Sequence, residues 1–341
     1  MLNFASDNVA PAHPAVLEAL ARANVGPARA YGDDPLTRAA LDALRAHFGA
    51  QASPWLVWGG TGANVAGLAA LLRPWEAVLC AGTAHIRVDE TGAVERFTGS
   101  SVLTVRTPDG KLSPEAVRPL LRGFGVQHHP QPRVLSVTQT TEYGTAYTVD
   151  ELAALVELAH AHGMLVHLDG ARLANAAATL GLPVAAFTAA LGVDVVSVGF
   201  TKPGALAAEA VVFLREGLDA AFPYIRKQAL QLASKQRYVA AQVLAMLEDD
   251  RWIALAAHAN AMARRLADAV RDLPAVTVTQ RVEANAVFAC LPRAAIVTLQ
   301  REALFYDWDE ACNEVRWMTS WDTTPGQVDT FAAAIRAATA G

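Results

Sequence analysis

One lysine, Lys202, stands inside the apolar run VSVGFTKPGALAAEAVVF, Val196 to Phe213. An isolated ammonium in such surroundings is costly. Two explanations compete. A strand-end lysine can carry its amine to water on its long stem, or the nitrogen can be engaged covalently in a Schiff base. Upstream, HLDGARLANAA places Asp169 just past the apolar stretch MLVHL, with Arg172 three residues on. Taken alone, such an aspartate caps a helix and the arginine is a solvated neighbour. Taken with Lys202, the pair has a chemical meaning. A lysine Schiff base facing a carboxylate is what a pyridoxal phosphate enzyme requires. The carboxylate keeps the pyridine nitrogen protonated, so the ring can accept the electrons of a carbanion. A phosphate seat is offered by GGTGAN, Gly59 to Asn64. The N–H groups of a glycine-rich turn at a helix N-terminus bind phosphate without a basic side chain. Glycine turns are common; the order glycine turn, aspartate, lysine is the informative feature.

Those residues need elements to hold them. HPAVLEALARAN and PLTRAALDALRAHFG have helical periodicity, the second stopping at Gly49. WLVWGGTGANVAGLAALL passes from a short strand through glycines into a helix. VDELAALVELAHAHG predicts a helix ending at Gly163, followed by the buried strand MLVHL. DVVSVGF and EAVVFL predict two more strands. Strand–helix alternation with near-continuous apolar strands indicates an α/β domain around a mostly parallel sheet. Beyond about residue 214 the pattern changes. SKQRYVAAQVLAMLEDD and HANAMARRLADAVRDL read as long helices, AVTVTQ and NAVFACL as adjacent strands. The last helix opens with a capping-box pair, Thr324 and Gln327, around Pro325 at its first position. The expected division is a large domain over 1–245 and a small α+β domain over 246–341.

Composition agrees with an enzyme-sized globular body: 341 residues, 53% hydrophobic and 18% charged. A net charge of −5 with no long basic run argues against nucleic acid or an anionic membrane as partner. Cys80, Cys290 and Cys312 lack metal-ligand spacing, and no metal is expected. MLNFASDNVAPAHP has neither a basic start nor an apolar h-region, and no stretch reaches a membrane span. The expected location is the cytoplasm.

FASDNVAPAHPAVLEALARAN, AYGDDPLT, GGTGAN, HIRVDETGAVERFTG, HLDGARLANAA, VSVGFTKPGALAAEAVVF and VRWMTSWDTTPGQVDTF occur in that order almost end to end. In this the sequence resembles the low-specificity L-threonine aldolases and phenylserine aldolases. These are pyridoxal phosphate enzymes of the aspartate-aminotransferase-like fold (fold type I). The resemblance implies retro-aldol cleavage of L-threonine, L-allo-threonine and related L-β-hydroxy-α-amino acids to glycine and an aldehyde. It implies that Lys202 bonds the cofactor, Asp169 holds its pyridinium, Gly60 and Thr61 cradle the phosphate, and His85 stacks on the ring. Ser6, Arg172 and Arg316 would grip the substrate α-carboxylate, and Arg172 would also border the cofactor. Lys227 would reach cofactor phosphate from a partner subunit, with Tyr31 near the same intersubunit site, in a homotetramer built as a dimer of dimers. His128 matches a histidine near the substrate hydroxyl, beside His129 at an aromatic position. His85 and His128 are both candidates for the base that takes the hydroxyl proton, and the sequence does not choose. Two departures stand out. Pro203 follows the lysine, where the family more often has a small polar residue, which removes a backbone donor from that loop. QTTEYGTAY also differs from the usual segment, so Glu142 is only a candidate. A β-eliminating lyase or aminotransferase of the same fold would share Lys202 and Asp169. A non-catalytic cofactor-binding protein would have little reason to keep both arginines as well.

Overall fold

Seven runs rich in Val, Leu and Ala build the central sheet of the computed structural model, which describes residues 1–340. They are β1 (Ser53–Val57), β2 (Glu76–Ala81), β3 (Ser101–Val105), β4 (Gln131–Thr138), β5 (Leu165–Gly170), β6 (Val195–Gly199) and β7 (Glu209–Phe213). Their spatial order is β1-β7-β6-β5-β4-β2-β3. Only β7 runs antiparallel to its neighbours; β2 to β6 are parallel throughout. Every residue of β5, β6 and β7 is buried, because helices cover both faces of a parallel sheet and leave no side for alternating polar residues. Parallel pairing also brings the C-terminal ends of β4, β5 and β6 to one edge, where such sheets bind ligands.

The helices begin and end as the sequence indicates. Asp34 caps the helix Pro35–Phe48, its carboxylate accepting from the Thr37 N–H at 2.9 Å, and Gly49 ends it at φ 112°. A reciprocal Thr148–Glu151 capping box opens Val149–Ala161. Two boundaries differ from the periodicity reading. The first long helix begins only at Arg237, and the next starts at Arg251, seven residues before HANAMARRL. The break between them holds Asp249 and Asp250, both left-handed at φ 52° and 51°. Neither glycine nor proline marks it.

A four-stranded antiparallel sheet forms the second body, in the order Tyr306–Asp309, Glu314–Met318, Ala286–Cys290, Thr277–Val278. Its apolar cluster draws on the helices Arg251–Val270, Arg293–Leu299 and Pro325–Thr339. The chain start is threaded into this body. Leu2–Asn3 pairs in parallel with Ala303–Leu304, and Phe4 stacks on Phe331 with centroids 4.4 Å apart. That anchoring carries Ser6 and Asp7 to the junction with the large sheet. No single helix is long and apolar enough to cross a membrane among the described residues.

Candidate active site

A cavity of about 400 Å³ lies at the C-terminal edge of β4, β5 and β6, within the size range of small-ligand sites. Lys202, three residues past β6, lines it together with Asp169 from the end of β5. Burial pushes the Lys202 ammonium pKa down, and the nearby Arg172 guanidinium adds to this, while Asp7, Asp169 and Glu209 act against it. Pro203 sits in a tight turn closed by Gly204 N–H donating to the Thr201 carbonyl at 3.1 Å, so its missing donor is not called upon there. Asp169 is only 2% exposed. Its Oδ1 accepts from the Ala171 N–H at 3.0 Å and its Oδ2 from Asn64 Nδ2 at 2.9 Å.

Across the cavity, the helix Gly60–Leu71 starts from Gly59 with no side-chain cap. Its first intrahelical bond at this end is Ala63 N–H to the Gly59 carbonyl, 2.9 Å. The amides of Gly60, Thr61 and Gly62 precede it and point out of the helix end. A Cβ at Gly59 or Gly60 would meet nothing within 4 Å, so an anion can approach the backbone. Gly62 answers to packing instead, since a Cβ there would stand 2.1 Å from Gln231 Cδ. The donor set fits pyridoxal phosphate: a depressed lysine for the aldehyde carbon, a buried carboxylate for the ring nitrogen, and open helix amides for the phosphate.

His85 begins the short helix His85–Val88 and lines the cavity. Its Nδ1 is 2.9 Å from Glu90 Oε1, and the same oxygen accepts from Asn64 Nδ2 at 2.9 Å. Glu142 Oε1 accepts from the His85 N–H at 2.8 Å and from Thr138 Oγ1 at 3.1 Å. Burial, helped by the charge of Asp169, pushes the Glu142 carboxyl up to about 7. Glu209 also lines the cavity; burial pushes its carboxyl up to about 7, with Thr201 and the Lys202 charge opposing.

The arginines meet from different bodies. Arg172 donates to Asp7 through Nε and Nη2, at 2.8 and 2.9 Å. Arg316, on the strand Glu314–Met318, donates Nη2 to the Ala5 carbonyl at 3.2 Å and leaves Nε without a partner. Its guanidinium carbon lies 5.1 Å from the Trp308 ring centroid. Burial, then the neighbouring Arg172 charge, lowers its pKa to about 10. Ser6 caps the turn Asp7–Val9, its Oγ accepting from the Asn8 N–H at 3.2 Å. Asn285 donates to Asp7 from the second body at 3.0 Å, so this aspartate ties both bodies to the arginine.

Gly60, Thr61, His85, Glu142, Asp169, Arg172 and Lys202 thus come together around one cavity. Ser6 and Arg316 do not line it but adjoin its wall, Arg316 as a charged neighbour of Arg172 and Ser6 next to Arg172's partner Asp7. Three other expected residues are not brought to it by their own chain. His128 and its neighbour His129 are exposed in the loop before β4, and the His128 ring has one hydrogen-bond partner among the described residues, Gln127 at 3.5 Å. Lys227 is exposed, with its ammonium 4.9 Å from the ring centroid of Tyr31, itself 53% exposed. Four residues escaped the sequence reading of the site. Asn64 and Asp7 lay inside the motifs GGTGAN and FASDN, Glu90 five residues after His85, and Glu209 at the head of a predicted strand. A carboxylate heading an all-apolar strand was the available signal for Glu209.

The family model for beta-eliminating lyases matches residues 3–293. The chain is 42% identical to the low specificity L-threonine aldolase of Pseudomonas aeruginosa, over 98% of this chain and 96% of the relative. It is 40% identical to the enzyme of the same name from a Pseudomonas species, covering 98% and 97%. A solved threonine aldolase from Leishmania major superposes with a TM-score of 0.93 at 29% identity, covering 99% of both chains. A methionine aminotransferase from Escherichia coli, at 14% identity and TM-score 0.77 over 98% and 92% of the chains, shares the fold.

Proposed function

Because this chain belongs to the low specificity L-threonine aldolases, within the beta-eliminating lyase family, we propose that it is a pyridoxal phosphate-dependent aldehyde-lyase. It cleaves L-threonine, L-allo-threonine and related L-β-hydroxy-α-amino acids to glycine and an aldehyde. The observation that carries this reading is one cavity lined by Lys202, Asp169 and the open helix end at Gly60 and Thr61.

When bound, pyridoxal phosphate supplies the sink for the electrons left on Cα as the Cα–Cβ bond breaks. Lys202 would hold the cofactor through its aldehyde carbon; burial pushes its ammonium pKa down, which favours the uncharged amine that such a bond needs. Asp169 keeps a proton on the ring nitrogen, and Gly60 and Thr61 hold the phosphate. Arg172, Arg316 and Ser6 bind the α-carboxylate and so fix the orientation of the bonds at Cα. His85, on the cavity wall, would face the cofactor and take the β-hydroxyl proton. It is favoured over His128 because it lines the cavity of its own chain while His128 does not. His128 would act only through another subunit or a loop movement.

The finer reading is a cytoplasmic homotetramer, a dimer of dimers, with Lys227 and Tyr31 completing a partner's phosphate site. Support comes from their exposure and from exposed apolar side chains at the cavity, Trp58 and Leu206, with Leu230 bonded to Trp58 through its carbonyl. Three free cysteines suit a reducing compartment. Product analysis with L-threonine tests the activity. Glycine and acetaldehyde in equal amounts support it; ammonia and 2-oxobutyrate would assign the chain to elimination instead.

A further inference from the structure

Four side chains form a continuous hydrogen-bonded line from His85 to Asp169. His85 Nδ1 meets Glu90 Oε1, Glu90 Oε1 meets Asn64 Nδ2, and Asn64 Nδ2 meets Asp169 Oδ2, each at 2.9 Å. All four residues border the cavity; the Glu90 side chain is 0% exposed and that of His85 37% exposed, so the carboxylate is shielded while the ring stays accessible. Both Asn64 amide hydrogens are occupied by carboxylates, which sets the amide orientation. Burial, with the Asp169 charge, pushes the Glu90 carboxyl pKa up, against its hydrogen bonds to His85 and Asn64; once ionised, its Oε1 can take only a donor from the histidine. That donor is Nδ1–H, and the neutral ring is left with its lone pair on Nε2, which has no protein partner among the described residues.

We propose that Glu90, held by Asn64, is a positioning residue that fixes His85 in the Nδ1–H tautomer and so makes Nε2 the proton acceptor. The proposal rests on the reading of His85 as the base. The groups around the ring act in both directions, and the net shift is upward: Glu90's hydrogen bond raises the His85 pKa, burial and the Lys202 ammonium oppose it, and the Glu90 and Asp169 charges add to it. Glu142 faces the same residue only through its main-chain N–H. The line also joins the two ends of the cofactor site, since the carboxylate that serves the ring nitrogen shares its amide donor with the carboxylate that orients the histidine.

The test is nitrogen-15 NMR of histidine-labelled holoenzyme, with the His85 signals assigned by their loss in His85→Asn. The wild-type ring, when neutral, should carry its proton on Nδ1; a proton on Nε2 would overturn the proposal without any variant of Glu90. Glu90→Gln keeps an acceptor oxygen but no charge, so the tautomer should persist. The acidic limb of kcat/KM should then move to lower pH by about one unit. Glu90→Ala should lose the single tautomer and on the order of 10–100-fold in kcat/KM, part of the general-base contribution. Coincident limbs and ring signals in wild type and Glu90→Gln would also overturn it. If His85→Asn keeps ordinary kinetics, the base reading fails by itself, and the ring tautomer alone then decides the role of Glu90.

Discussion

Asp7 and Arg172 are locked by two parallel hydrogen bonds, Nε to Oδ2 at 2.8 Å and Nη2 to Oδ1 at 2.9 Å, with 3% and 14% of the two side chains exposed. One edge of the guanidinium is thereby committed, which fixes the plane that the remaining N–H groups present to a substrate. Burial opposes the Asp7 charge, yet Arg172, Lys202 and Asn285 together hold its carboxyl down at about 2.

A carboxyl whose folded pKa lies below its ordinary value stabilises the fold above that ordinary value and loses the effect as pH falls through the folded one. For Asp7 this is worth about 2 kcal/mol, fading between roughly pH 4 and 2. Asp7→Asn strands a buried guanidinium and should cost about 3–5 kcal/mol at neutral pH. Urea midpoints across that range measure it. The gap between variant and wild type should narrow on acidification, and a gap independent of pH would contradict the pairing.

Arg316 has no carboxylate partner among the described residues, so its removal leaves no paired acid behind there. Arg316→Leu should keep the visible absorbance of bound cofactor while losing about 2–5 kcal/mol in kcat/KM for amino acids. Ordinary amino-acid kinetics in this variant would take Arg316 out of the site.

Glu209 works in the opposite sense to Asp7. Its folded pKa of about 7 lies above the ordinary carboxyl value, so its burial is tolerated at low pH and penalised increasingly as pH rises toward 7. Glu209→Gln keeps the acceptor for the Phe200 N–H, 3.1 Å away. In the cofactor-free protein it should stabilise the fold by up to about 3 kcal/mol above pH 7 and by nothing below about pH 4.5. Equal midpoints for the two proteins at pH 8 would contradict a strained Glu209.

The same contrast explains what the sequence made legible. Lys202, Asp169 and Gly59 to Asn64 could be read because a charge or a glycine cluster at the end of an apolar strand is locally anomalous. Glu90 and Asp7 are not anomalous in HIRVDETG or SDN; a carboxylate there reads as solvated until the fold buries it against His85 or Arg172. His128 and Lys227 entered only through resemblance, and in a single chain both stay in water. The sheet was legible from apolar strand runs, whereas the break at Glu248–Asp250 depends on two left-handed aspartates that no local pattern announces.

Stereochemistry follows from unequal grips on the two substrate carbons. On the proposed roles, Cα would be held by Lys202's site and the clamp of Ser6, Arg172 and Arg316, so its configuration should be strictly L. The β-hydroxyl meets mainly one histidine, a contact worth about 0.5–1.5 kcal/mol net. L-Threonine and L-allo-threonine should therefore both be cleaved, differing far less than L and D forms. kcat/KM for the four threonine isomers measures this. Comparable cleavage of a D isomer, or a preference between L epimers beyond about a thousandfold (~4 kcal/mol), would require a dedicated hydroxyl pocket.

The central claim is that Lys202 carries the cofactor, and the chain has only three other lysines to compete with it, Lys111, Lys227 and Lys235. Borohydride reduction of the holoenzyme, followed by peptide mass spectrometry, locates the bond directly. A single pyridoxyl adduct is expected on the peptide holding Lys202, absent from Lys202→Ala together with nearly all turnover. An adduct on Lys111, Lys227 or Lys235 in the wild-type enzyme, or full turnover by Lys202→Ala, would contradict it.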